Sequence, residues 1–404
     1  VLAIVGVVVL PRPFLGGSIT EPVPKMSVTQ ANPASDSIAL ADERPVYSVA
    51  DTLATVAAHV PRALVTEEAW RAVLQAASVL PAALASGVYL ETRLAGERRA
   101  VDLIVRVDGP GRDLLASRNP VVRLPRGLRE HPVWARVARL SAGVAEGGPA
   151  VLRHVDHLWL EFDLDPADGA EPVPVPSLFV APDPCAAASL SVDEWMALLD
   201  ACAEVLLPGG LSGGMRKRLR RAVAARPAGG SIPYLGFMLA RPDGAVRVYL
   251  AGMGEAELPG CLARAGWPGE GDELAAALAA LGPPESRPRV GMAHVDVDAR
   301  GVLPRLGVEY TLDRRRQLRG EIAESAFLRH LAASGLCDGA RIEGLWSWPG
   351  WQVRRLAHEI WESRMVRRVN CVKLVLGAGS APETKGYLLA THHPAVRLAR
   401  AGGR

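Results

Sequence analysis

Five times along the chain a strand–turn–strand pattern follows amphipathic helical sequence, and this repeat restricts the fold more than any other property. The strand pairs run over 88–108, 157–180, 234–250, 290–311 and 369–391. Each alternates polar and apolar residues around a turn containing Gly or Asp and Gly, the short-range signature of an antiparallel pair. Their centres lie roughly 55–80 residues apart, as expected when each repeat is one supersecondary unit. Ten such strands, with helices between successive hairpins, can close into one barrel and so lose their exposed edges.

The alternation says what each face of that barrel carries. Tyr89, Glu91 and Arg93 alternate with Val88, Leu90 and Leu94, and Asp102 and Arg106 with Leu103, Val105 and Val107. His157, Trp159, Glu161 and Asp163 oppose Leu158, Leu160, Phe162 and Leu164. Arg247 and Tyr249 stand between Val246, Val248 and Leu250; His294, Asp296 and Asp298 alternate with Val295 and Val297. Arg305 and Glu309 alternate with Leu306 and Val308, and Lys373, Lys385 and Tyr387 continue the polar face. The helices are amphipathic and need an apolar sheet face to cover. If they coat the outside, the charged face lines a lumen; the alternative is the solvated face of an open sheet.

This order of repeats, with its strand chemistry, resembles the ABBA prenyltransferases over roughly residues 50–395. The resemblance implies an α/β fold, the PT barrel: ten antiparallel strands in a closed barrel surrounded by about ten helices, with a solvent-filled core. It also implies transfer of a prenyl group from an isoprenoid diphosphate to an aromatic or peptide acceptor. Such a leaving group needs several cationic donors to stabilise its developing charge. Arg93, Arg106, Arg247, Arg305, Lys373 and Lys385 come from four of the five hairpins. Arg247-Val248-Tyr249 and Lys385-Gly386-Tyr387 put a base and a tyrosine on one face, and tyrosine rings can shield an allyl cation. By the resemblance these two pairs and Lys373 match diphosphate-binding positions, and Glu91 matches the acceptor-binding glutamate. Glu161 and Asp163 compete with Glu91 for that role, and Trp159 can stack on a planar acceptor.

One feature of the polar face points elsewhere. Glu91, Asp102, Glu161, Asp163, Asp296 and Glu309 put about as many acids as bases there, so the lumen can equally be a set of mutually neutralising ion pairs. The alternative function is therefore a barrel tailoring or binding protein of a biosynthetic pathway without diphosphate chemistry.

At 404 residues, with 49% hydrophobic and 22% charged residues, the chain suits one large globular unit. We expect an extended or disordered leader over 1–45 and a single barrel domain over 46–404. The first ten residues are apolar but too short to span a bilayer, and Pro11 and Pro13 follow them. A net charge of +3, with bases dispersed, argues against nucleic acid as a partner. Five widely spaced cysteines without any CxxC suit reduced thiols in a cytoplasm. Abundant Gly, Pro, Ala and Arg suggest a GC-rich bacterial genome, and with it specialised metabolism.

Other motifs carry less. Gly210-Leu211-Ser212-Gly213-Gly214 matches GxSxG but continues from a helix instead of a strand, which leaves it an interhelical loop. No cofactor is required by this reading. Mg²⁺ can accompany a diphosphate, and Asp163/Asp165 and Asp296/Asp298 place carboxylates in pairs on one face. Asp165 and Asp298 also stand at turn entries, where Asp caps backbone amides. The expected helices are near 49–60, 66–85, 111–117, 131–143, 191–207, 213–225, 255–265, 270–281, 313–335 and 352–366, with Trp346, Trp348 and Trp351 before the last.

Overall fold

The computed structural model describes residues 45–97, 100–165, 173–377 and 380–394. All five expected hairpins are present. They comprise β1 (Gly87–Arg93) with β2 (Val101–Val107), β3 (Val155–Phe162) with β4 (Ser177–Pro182), and β5 (Leu235–Phe237) with β6 (Val246–Ala251). After β7 (Val290–Val297) and β8 (Val302–Thr311) come a shorter strand, β9 (Gly350–Arg355), then β10 (Glu362–Gly377) and β11 (Ser380–Pro394). Ten strands pair antiparallel in the order β1-β2-β3-β4-β5-β6-β7-β8-β10-β11, and β11 pairs back to β1, so the barrel is closed. The fold is the one expected: a closed ten-strand barrel, here with thirteen α-helical segments around it among the described residues. None of those helices is long and apolar enough to cross a membrane. The expected leader over 1–45 lies almost wholly outside the described residues.

The apolar face of each strand points outward under the helices. Leu90, Leu103, Leu158, Phe162, Leu178, Phe237, Val248, Val295, Leu306 and Leu374 are all buried in one continuous core with helix residues such as Trp134, Trp195 and Phe327. Trp134 stacks on Phe162 at 6.2 Å between ring centroids and donates its indole N–H to the Pro174 carbonyl at 2.8 Å. The helices begin where their sequences provide caps. Thr66 accepts from the Ala69 amide, Ser191 and Glu194 form a capping box, and Ser212 accepts from the Met215 amide. Ser212 is thus a cap and not a nucleophile elbow.

Two expectations about the fifth repeat need correcting. The helix placed at 313–335 is broken into Arg314–Leu318, a 3-10 turn at Glu321–Glu324 and Ala326–Ala333. Gly320, with φ of 78°, ends its first piece. The segment 352–366 is not a helix. A helix covers Gly339–Ser347 instead, and β9 then pairs with the first half of β10, Trp351 opposite Val366 and Arg355 opposite Glu362. β9 is therefore an eleventh strand outside the closed ring, and it extends the sheet past one end of the barrel.

Candidate active site

Residues directly opposite one another in an antiparallel pair share a face, so the register fixes what lines the lumen. Glu91 lies opposite both Asp102 and Tyr387, Lys373 opposite both Glu309 and Lys385, and Arg247 opposite Asp296. The polar face points inward as expected.

One half of the lumen is filled with buried ion pairs. Arg247 grips Asp296 with two parallel bonds, Nε to Oδ1 at 2.6 Å and Nη2 to Oδ2 at 2.9 Å. Arg93 meets Asp102 at 2.8 Å. Lys385 meets Glu91 at 2.6 Å, and Lys373 stands 3.6 Å from Glu91 and 4.0 Å from Glu309. Lys373 also donates to the Tyr387 hydroxyl at 2.6 Å, and that hydroxyl donates to Glu91. Arg241 reaches in from the β5–β6 turn to Glu161 at 3.1 Å and Asp163 at 2.9 Å.

Burial pushes the Glu91 carboxyl up, but Lys373, Lys385 and Arg93 outweigh it and hold the group well below the usual carboxylate range. The remaining acids feel burial without so much positive charge. Burial and then Glu91 push Asp102 up to about 7, against Lys385 and Arg93. Burial, Glu91 and Asp163 raise Glu161; burial raises Glu309 against the pull of Lys373. Burial, with Arg247 and Lys373, holds His294 well below its ordinary value, so its ring is neutral at pH 7.

The other half of the lumen is aromatic. Tyr89, Trp159, Phe179, Tyr234, Tyr249 and Tyr387 line a chamber with Glu161 and Glu309 in its wall. Four of the chain's six tyrosines are gathered here. Tyr89 meets Trp159 edge-on at 5.1 Å, and Tyr249 meets Tyr234 at 5.5 Å and Phe179 at 6.1 Å. The chamber encloses about 80 Å³ and, counted outward to open solvent, about 520 Å³.

Two glycines make room for flat rings on this face. Gly236 lies under Phe179, and Gly307 lies under His294. A methyl group at Gly307 would overlap the His294 ring. Gly307→Ala should cost about 1–3 kcal/mol, the usual penalty of overpacking. Urea unfolding checks this, and adding His294→Ala should return most of the loss.

The expected site residues thus fall into three groups. Glu91, Arg93, Arg247, Lys373 and Lys385 are buried in the ion-pair half, each against an opposite charge. Trp159, Glu161, Tyr249 and Tyr387 line the aromatic chamber. Arg106 is at the mouth, its guanidinium carbon 5.9 Å from the Trp159 ring centre, and Arg305 is exposed at the opposite rim. Glu91 has both oxygens occupied, by Lys385 and Tyr387, so the carboxylates that face the chamber are Glu161 and Glu309. Asp163 and Asp296 are each paired with an arginine, and Asp298 accepts from the Arg300 and Gly301 amides. Among the described residues no group of three or more His, Cys, Asp or Glu is placed to hold a metal ion. Sequence reading missed Phe179, Tyr234 and Arg241. Strand alternation through Ser177, Phe179 and Ala181 carries a signal for the first, but nothing local places a turn arginine opposite Asp163.

No family model matches the sequence, and no curated protein does. Among solved structures the chain is similar to prenyltransferase PriB in its apo form, at 18% identity and a TM-score of 0.48, over 84% of this chain and 94% of that one. PriB has also been solved with L-tryptophan and dimethylallyl thiolodiphosphate. AnaPT from Neosartorya fischeri follows at 12% identity and 0.42, over 76% and 77% of the two chains. For 5-dimethylallyltryptophan synthase from Streptomyces coelicolor the values are 16% and 0.38, over 87% and 93%. The closure of the barrel is established by its strand pairings and not by these likenesses.

Proposed function

We propose that this chain is a prenyltransferase that moves an allyl group from an isoprenoid diphosphate to an aromatic acceptor, a small molecule or the side chain of a peptide. The observation that carries the reading is the aromatic chamber with two buried carboxyls, Glu161 and Glu309, in its wall. Breaking the allylic C–O bond sends its electron pair to the diphosphate and leaves a cation. The faces of Tyr89, Trp159 and Tyr249 suit that cation and exclude water from it. A ring carbon of the acceptor then bonds to the allyl carbon, and the proton it carried passes to a carboxylate. Glu309 suits that step, because burial brings its affinity for protons closer to neutrality. Mg²⁺, where it takes part, arrives with the diphosphate. The setting we propose is cytoplasmic and bacterial, in specialised metabolism, with no nucleic acid or membrane as partner.

The neutralised half of the lumen favours a second reading, a barrel that binds or tailors aromatic molecules without any diphosphate. One incubation separates the two. The protein is mixed with dimethylallyl diphosphate and L-tryptophan, indole or a tryptophan-containing peptide, and products are read by mass spectrometry. Prenyl transfer predicts a prenylated product, and a Glu309→Gln variant about 100-fold slower with its stability kept. If calorimetry also detects no binding of the allyl diphosphate at millimolar ligand, the second reading replaces the first.

A further inference from the structure

One strand of the barrel changes face part-way along, and it does so in the wall of the aromatic chamber. Val369 of β10 lies opposite Leu388 of β11, and Val372 opposite Gly386, so Asn370 and Cys371 together stand against Tyr387 alone. Two residues against one make a β-bulge. Val369 and Val372 are both packed in the outer core, although strict alternation puts residues three apart on opposite faces. The bulge absorbs the difference by turning Asn370 and Cys371 inward, and both line the chamber.

A side chain from outside the barrel holds this bulge. Gln317, only 4% exposed on the helix Arg314–Leu318, accepts from the Val369 amide and donates to the Val369 carbonyl, both at 2.8 Å. This fork takes the place of β8, whose pairing with β10 starts only at Cys371. The Leu312 amide bonds the Asn370 carbonyl at 3.2 Å, which ties the next residue as well. Inside, Asn370 is half-buried and is the one carboxamide among the described residues that line the chamber. The polar groups around it are engaged. The Cys371 thiol donates to Glu309 at 3.5 Å, Tyr387 donates to Glu91, and Glu161 accepts from Arg241 at 3.1 Å. The Asn370 side chain is within hydrogen-bonding range of the Cys371 sulfur. A carboxamide that donates to sulfur still presents Oδ1 as an acceptor, and it does so without a charge. It can therefore pair with a neutral N–H or O–H in a dry wall where a further carboxylate would be costly.

We propose that Asn370 determines which aromatic acceptors the chamber takes: those whose ring carries an N–H or O–H, which donates to its Oδ1. Gln317 is the positioning residue that keeps Asn370 turned inward. This rests on the prenyl-transfer reading and gives the acceptor's polar ring atom a partner other than Glu91, whose two oxygens are already occupied. Glu309 then deals only with the proton of the reacting ring carbon. Methylating the ring nitrogen or oxygen removes the donor and sets a methyl group against Oδ1, so alkylated rings are excluded.

The test is calorimetric titration of the full chain with two matched pairs, indole with 1-methylindole and 1-naphthol with 1-methoxynaphthalene. In at least one pair the donor-bearing member should bind about 10–100-fold tighter, the effect of one buried hydrogen bond left unmade. Asn370→Leu, of similar size, should weaken that member by the same factor and so abolish the preference. Gln317→Ala lies outside the barrel and should also reduce the preference, which a loss of stability alone would not do. A preference kept in folded Gln317→Ala overturns the positioning role. Should that variant not fold, Asn370→Leu decides, because its side chain faces the chamber and holds no strand. A preference that survives Asn370→Leu overturns the inference. So does a wild type that binds both members of each pair equally, or none of the four at millimolar ligand. Prenyl transfer is judged separately, by product. Prenylated product with its selectivity unchanged in Asn370→Leu keeps the reaction and removes this inference. A preference abolished by Asn370→Leu, with no product from dimethylallyl diphosphate, does the reverse.

Discussion

Asp296→Ala should destabilise the protein by about 3–5 kcal/mol, the cost of leaving a buried charge without its partner. Arg247 is only 2% exposed, and both of its bonds to carboxylate oxygens end on Asp296. Once the acid is gone, no water reaches the guanidinium to replace it. The pair itself need not be a large net contributor, because desolvation offsets most of the Coulomb attraction. Arg247→Met/Asp296→Leu should therefore recover most of the lost stability in urea unfolding. An exposed pair such as Arg126 and Glu130 should behave differently, with either partner's removal costing under about 1 kcal/mol. If Asp296→Ala unfolds at the wild-type midpoint, the Arg247 site is hydrated and the dry ion-pair floor is wrong.

Asp102→Asn should gain stability relative to wild type as the pH rises from 4 to 8. The Asp102 carboxyl binds its proton more tightly in the folded protein, at about 7, than the ordinary 3.8 of the unfolded chain. Between those values the folded state holds the extra proton, so rising pH removes stability. Each pH unit in that window is worth roughly 1.4 kcal/mol, so the variant's advantage should grow by up to about 4 kcal/mol. Glu161 and Glu309 act in the same direction in wild type and variant alike. His294 acts in the opposite one, because burial lowers its affinity for protons and stability then rises with pH below 6.5. The total curve mixes these effects, and the difference between the two proteins reports Asp102 together with its interactions with Glu91, Lys385 and Arg93. Equal pH slopes for the two urea midpoints would mean that Arg93 keeps Asp102 ionised throughout.

The ring of strands was legible because period-two alternation is local and the same pattern recurs five times. Which face is inside followed from one further premise, that amphipathic helices must cover the apolar side. What failed is equally physical. Trp351 to Arg355 has no strong pattern of its own and becomes a strand because β10 runs past the barrel end and offers an edge to pair with. The role of the cations was illegible for a different reason. Arg247 and Arg106 look alike in sequence, each on the polar face of a hairpin strand, yet one is bound to Asp296 from the neighbouring hairpin and the other has no carboxylate partner. That difference is set by depth along the barrel axis, which strand spacing alone does not give.

The closing seam also governs how the chain reaches this state. Tyr387 on β11 bonds Glu91 on β1 across 296 residues of sequence, among the longest loops the chain can close. Contacts of such separation repay their entropy only late, which makes folding slow. During synthesis every other strand emerges before β11, so β1 and β10 wait as bare edges of an open sheet whose inner face carries Glu91, Asp102, Arg247, Glu309 and Lys373. That intermediate is the state most exposed to edge-to-edge aggregation. The charges that fill the floor of the finished barrel are, at that stage, what keeps its inner face soluble.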